Sequence, residues 1–155
     1  MKPNTIGNLV SVTDWLAAVT IPGIACRSLR NIPEGIQPQD APLVAPTQSE
    51  PFMSEFTLKR LTMRDSANGR RYEVHYNLHY VLYLAATAED VTWYEKLPDL
   101  ADAWSNVITA WVDYETPTDA YDIRPSGTPG FGFVQDMANT QFYGVKFILS
   151  VTEFD

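Results

Sequence analysis

Residues 70–86 read RRYEVHYNLHYVLYLAA. Tyr72, Val74, Tyr76, Leu78, Tyr80, Leu82 and Leu84 take alternate positions, and Arg71, Glu73, His75, Asn77 and His79 fall between them. A period of two places the first set on one face of a β-strand and the second on the other. Aromatic and β-branched residues dominate, as a half-buried pleated surface prefers. From Val81 onward both faces are apolar, so the far end of the strand is expected to be covered on both sides. At ~3.3 Å per residue the segment spans roughly 50 Å, well beyond the usual five or six residues. A strand of this length is either the central member of a sheet or an arm that leaves the body.

The flanking sequence supplies its neighbours. From Phe52 to Arg64, Phe56 and Leu58 sit on even positions and Leu61 and Met63 on odd ones. This change of phase predicts a β-bulge near Lys59 and Arg60. DSANG, residues 65–69, is a turn in which Asn68 and Gly69 tolerate positive φ. Phe52 to Ala86 therefore reads as a long hairpin with a basic tip. Downstream, Trp93, Tyr94, Leu97, Leu100, Ala101, Trp104, Val107, Ile108 and Trp111 recur every three or four residues, the pattern of an amphipathic helix over Val91 to Val112. Pro98 either sits in the first turn of this helix or kinks a longer one. Phe131 to Asp136 and Gln141 to Phe154 form a second hairpin, with Tyr143, Val145, Phe147, Leu149 and Val151 on one face. Residues 113–129 contain Pro117, Pro125 and Pro129 and read as loop.

At the N-terminus, Ile6, Leu9, Val10, Trp15, Leu16 and Val19 suggest a helix, either continuous or broken near residues 11–13, that ends at Pro22 and Gly23. Ile24 to Leu29 reads as a short edge strand, and PLVAPT, residues 42–47, as another closed by Pro46. The fold class is α+β: a mainly antiparallel sheet from two hairpins, with the long helix and the N-terminal helix packed on it. The core is expected at Leu78, Leu82, Trp104, Ile108, Phe147 and Leu149.

With 155 residues, 45% hydrophobic and 19% charged, the chain suits one domain over residues 1–155 and excludes a disordered tail. No apolar run reaches the roughly 18 residues of a membrane span, and the first residues lack the apolar core of a secretory signal. The single cysteine, Cys26, excludes an internal disulfide and a multi-cysteine metal site, and an intracellular protein is expected. Residues 1–88 carry eight Lys/Arg and seven Asp/Glu, whereas residues 89–155 carry three and twelve. The net charge of −8 thus arises entirely in the second part, which disfavours nonspecific nucleic-acid binding there.

Residue groups with chemical potential have simpler readings. His75 and His79 share a strand face, but four strand residues separate them by about 13 Å, too far for one metal ion. Cys26 beside Arg27 lacks a neighbouring histidine in sequence. Asp119, Asp122 and Arg124 lie in a proline-rich stretch with no hydrolase, metallopeptidase or phosphate-loop motif, so turn-forming aspartates are expected. Gly130 and Gly132 precede a strand rather than a helix, and allow a bend instead of cradling a phosphate. The tryptophan stripe has helical spacing and reads as core. No catalytic residue, metal site or cofactor emerges, and a binding or structural role is expected over an enzyme.

The order of elements resembles the tail terminator, or tail completion, proteins of long-tailed bacteriophages. The stretches that carry the resemblance are APLVAPTQ, then RRYEVHYNLHYVLYLAATAED leading into LPDLADAWSNVITAW, and the ending QFYGVKFILSVTEF. The likeness is one of topology along most of the chain, without a diagnostic residue motif, and residues 21–41 have no counterpart. It implies a small α+β subunit that forms a hexameric ring on the finished tail tube, assembled in the host cytoplasm and incorporated at the head–tail junction of the virion. The implied partners are copies of itself, the tail tube protein and a head-completion or neck protein. DNA would pass through the ring without specific binding, and no membrane is involved. Two other readings stay open: another neck or tail-tube subunit, and a monomeric domain that binds a small ligand on its aromatic sheet.

Within a ring, one face of each copy meets a different face of the next. The basic hairpin, with Lys59, Arg60, Arg64, Arg70 and Arg71, is expected to extend onto the neighbouring subunit. Its receiver would be the acidic helix start, Glu89, Asp90, Glu95, Asp99 and Asp102. Acidic walls would avoid trapping DNA, and Asp113, Glu115, Asp119 and Asp122 are candidates to face the channel.

Overall fold

The computed structural model describes residues 5–31, 36, 38–47, 51–60, 72–87, 95, 97–113, 121–135 and 140–154. Its elements are α1 (Thr5–Ala18), β1 (Ala25–Cys26), β2 (Leu43–Pro46), β3 (Met53–Arg60), β4 (Tyr72–Ala86), α2 (Leu97–Asp113), β5 (Tyr121–Gln135) and β6 (Gln141–Phe154). The fold is α+β, with two helices on a mostly antiparallel mixed sheet of six strands. The sheet runs β1-β2-β4-β6-β5, and β3 pairs with β4 beside this path.

The long alternating strand is the central one. β4 pairs antiparallel with β6 from Glu73 opposite Phe154 to Ala86 opposite Phe142. Its other side is shared. Residues 80–83 pair with β2, and residues 72–78 pair with β3. The seam lies at His79, whose carbonyl accepts from the Thr47 amide (3.0 Å) and whose amide donates to the Phe52 carbonyl (2.8 Å). β2 and β3 are thus two parts of one interrupted flank. β1 lies outside β2 in parallel, and β5 lies outside β6.

The even residues of β4 face the helices. Val74, Tyr76, Leu78, Tyr80 and Leu82 are buried together with Val145, Phe147, Leu149 and Val151 of β6, Val12 and Leu16 of α1, and Leu100, Val107 and Trp111 of α2. Tyr80 is the aromatic centre: its ring meets Trp111 edge-on at 5.0 Å and stacks on Phe147 at 6.0 Å. The odd face is polar from Glu73 to His79 and apolar beyond, where Val81 and Tyr83 join Leu43, Ala45, Val134, Phe142 and Ile36 in a second, smaller core. This agrees with the apolar run after Val81.

Other expectations need correction. The bulge of β3 is not at Lys59 and Arg60 but between Ser54 and Thr57, where Glu55 adopts φ 53°. Asn77, buried opposite it, donates a 2.8 Å hydrogen bond to Glu55 Oε2 and holds the irregular turn of backbone. Residues 121–129 are not loop, because β5 begins at Tyr121. Its prolines are tolerated because β5 lies at the sheet edge and shifts register between Ser126 and Gly130. The helix starts at Leu97, so Pro98 is in its first turn. Helix α1 is continuous across residues 11–13. Leu78, Leu82, Phe147 and Leu149 are buried, but Trp104 and Ile108 are only half-buried, and Trp111 is the deeply buried tryptophan.

One close approach constrains the sheet. Gly144 lies opposite Tyr83 and Gly132, and a Cβ there would come within 2.4 Å of both the Leu82 carbonyl oxygen and Val134 Cγ2. The contact with backbone cannot be relieved by a side-chain rotation. Gly144→Ala should therefore destabilise the fold by about 1–3 kcal/mol or more, measured by chemical denaturation. In the same assay Trp111→Ala should cost about 3–5 kcal/mol and Trp104→Ala clearly less, because only the first leaves a fully enclosed cavity.

Candidate functional site

The charged residues singled out by sequence fall on separate parts of the sheet. Lys59 is exposed near the end of β3, and Arg60 is the last residue of that strand. Arg64, Arg70 and Arg71 lie outside the described residues, as do Glu89, Asp90, Glu115 and Asp119. Glu95 is exposed just before α2, Asp99 and Asp102 are exposed on α2, and Asp113 is its last residue. α2 packs chiefly over β5, whereas β3 lies on the far side of β4. One copy therefore does not bring its basic strand and its acidic helix together. Neither Lys59 nor Asp99 and Asp102 enters an ion pair among the described residues.

Asp122 belongs to β5 and not to a turn. It is held by its own neighbour: Arg124 Nε lies 3.1 Å from Asp122 Oδ2 on the same face of the strand. Its charge is offset locally, which weakens it as a channel-facing acid.

The histidines occupy the polar face and are engaged by hydroxyls. His75 Nδ1 lies 3.2 Å from Thr152 Oγ1, and its Nε2 lies 3.3 Å from Ser150 Oγ. His79 Nε2 lies 2.7 Å from Ser54 Oγ. Among the described residues no group of three His, Cys, Asp or Glu is placed to hold a metal ion. A recess of about 230 Å³ opens beside the β5 register shift, with His79, Lys146, Thr128 and Gly130 in its lining. It is smaller than the roughly 300–1,000 Å³ of ordinary ligand sites.

Two groups on the helix face were not singled out by sequence. Glu153 is almost fully buried and accepts a 2.8 Å hydrogen bond from Tyr76 Oη. Alternation could have flagged it, since Glu153 continues the apolar series Tyr143 to Val151. The second group is apolar and exposed. Met53, Phe56 and Leu58 on β3, and Val112, Phe131 and Phe133 on α2 and β5, are the large hydrophobic residues open to solvent among those described. Leu58 lies opposite Val74 and Phe56 stacks on Tyr76 at 6.3 Å, so both belong to the helix face. Phe131 and Phe133 lie opposite Val145 and Tyr143, on that same face. The two sets mark the two edges of the sheet.

Cys26 lies in register with Val44 and packs against the main core. Burial disfavours its thiolate and pushes the thiol up from an ordinary 9.0 to about 11. The neighbouring Tyr80 hydroxyl is raised too, first by burial and then by Cys26. A nucleophilic cysteine would need the opposite shift.

No helix among the described residues is long and apolar enough to cross a membrane. No protein-family model and no curated protein matches the chain.

Because the raised thiol stays protonated where an unfolded one ionises, native Cys26 should alkylate much more slowly than the denatured chain at pH 9. The native rate should climb only as pH approaches about 11. Equal native and denatured rates at pH 9 would show that Cys26 is not held in this environment.

Proposed function

We propose that the chain is a subunit of a structural ring at the head–tail junction of a long-tailed bacteriophage, of the tail terminator kind. The observation that carries the reading is the division of the subunit into two unlike flanks. β3 ends in Lys59 and Arg60, and the helix that packs over β5 on the opposite flank carries Asp99 and Asp102, with Glu95 just before its start. Unlike flanks on one subunit favour head-to-tail contacts, and these close into rings when the rotation per copy permits. The topology read from the sequence supports the same family. The ring is a hexamer that caps the tail tube, meets a neck protein on its other side and lets DNA pass through an acidic channel.

The basic hairpin and the acidic helix supply register and encounter rate rather than most of the affinity. An exposed ion pair contributes only about 0–1 kcal/mol and is screened by salt. Among the described residues the recess beside Lys146 is small, and α2 covers Tyr80 and Phe147 at the centre of the aromatic face, which favours the ring over a monomeric ligand-binding role.

Sedimentation at low salt tests the proposal. The wild-type chain should associate up to six copies. Lys59→Glu with Arg60→Glu should slow and weaken association without changing the circular dichroism of the monomer, and Asp99→Lys with Asp102→Lys in the same chain should restore it. Assembly untouched by the first pair at low salt would remove these charges from the contact. A monomer at every concentration would remove the ring.

A further inference from the structure

We infer that the β3 edge of one copy docks against the β5 edge of a second copy, with Phe56 and Leu58 seated on Phe131 and Phe133 across the junction. The inference rests on the ring reading for its head-to-tail sense, and adds the surface that holds the copies together. Among the described residues, β3 pairs only with β4 and β5 only with β6, so each presents a row of backbone N–H and C=O groups outward. Exposed edges of this kind invite pairing with another chain. Natural edges are commonly blunted by charge or proline. β5 follows that rule only as far as Pro129, beyond which Gly130–Gln135 is open and carries Phe131 and Phe133.

The side chains at these edges are apolar where an isolated subunit needs polar ones. Leu58 is 55% exposed, Phe56 45% and Phe133 48%. Both sets lie on the helix face. Leu58 is level with Val74, whereas Phe131 and Phe133 are level, through Val145 and Tyr143, with Leu82 and Ala85, so the two sets stand toward opposite ends of the sheet. Two copies that abut with the same face up bring them together when the second is displaced along the strands by about eight residues, roughly 27 Å, which inclines the strands to the ring axis. The occupant is a second copy because the edges are complementary in charge as well as in apolarity. Lys59 and Arg60 end the β3 edge, and the β5 edge lies under the helix bearing Asp99 and Asp102. Glu55 on β3 and Arg124 on β5 are opposite in sign to the charge assigned to their edges, so the heterologous sense rests on the ring reading rather than on charge alone.

A mixing experiment reads this directly. Phe56→Ser with Leu58→Ser disables the first edge, and Phe131→Ser with Phe133→Ser disables the second. Each variant alone should sediment as a monomer, its self-association weakened about 10- to 100-fold as expected when buried aromatic anchors are lost. An equimolar mixture should form one-to-one dimers and nothing larger, since only one intact edge of each kind remains. Circular dichroism and melting of each variant report folding, and Phe133→Glu alone serves as a second, less invasive block of the β5 edge. Folded variants that assemble like wild type overturn the contact and leave the ring to another surface. Dimers of either variant alone overturn its heterologous sense. A wild-type chain that stays monomeric overturns the contact and the ring reading together.

Discussion

Strand β4 uses both of its hydrogen-bonding sides, and the arrangement of every other strand follows from that. One side is matched to β6 along its whole length, and the other is divided between β2 and β3 at His79. Buried backbone groups must be paired, so a strand of this length forces the chain to supply two partners on one flank. The division leaves β3 as an edge beside the most polar half of β4. The pairing with β6 puts β5 at the opposite edge. The unlike edges are a consequence of this ladder.

A second constraint acts at the other end of the sheet. Gly132 and Gly144 face each other, and Gly144 sits against the Leu82 carbonyl and Val134. That approach lets Val134 and Phe142 join Tyr83 and Leu43 in the smaller core on the far face. Among the described residues the sheet thus carries apolar cores on both faces at one end and on one face at the other. At the end with one core, its odd face carries His75, Asn77 and His79, tied to Thr152, Ser150, Glu55 and Ser54. A polar face tied by its own hydrogen bonds is a poor contact surface, whereas β3 and β5 each have one strand partner among the described residues and carry exposed aromatic rings.

Much of the fold was legible in the order of residues. The strict alternation of Tyr72 to Leu84 identified the strand that proves central, and the apolar run after Val81 identified its doubly covered end. Three features were hidden for physical reasons. Glu55 gives no sign of positive φ in sequence, and the change of apolar phase points to Lys59 and Arg60 instead. Pro125 and Pro129 argued for a loop, and only the strand order shows that β5 is an edge that tolerates them. Trp104 and Trp111 share the apolar face of α2, and spacing alone cannot tell which one lies over Tyr80. The split of charge between the two parts of the chain was plain. That its two poles lie on opposite flanks was not, because the placement depends on β6 being inserted between β4 and β5. The even spacing of Phe56 and Leu58 does not announce that both are exposed.

The ring reading and the edge contact share one requirement, that both edges are covered at once when copies associate. Hydrogen exchange read residue by residue, in dilute and concentrated samples, measures this most directly. On association, amides of β3 and of the Gly130–Gln135 part of β5 should slow together, while the His75 and His79 face keeps its exchange rates. Slowing at one edge alone, or on the histidine face with both edges unchanged, would contradict a head-to-tail assembly through the sheet edges.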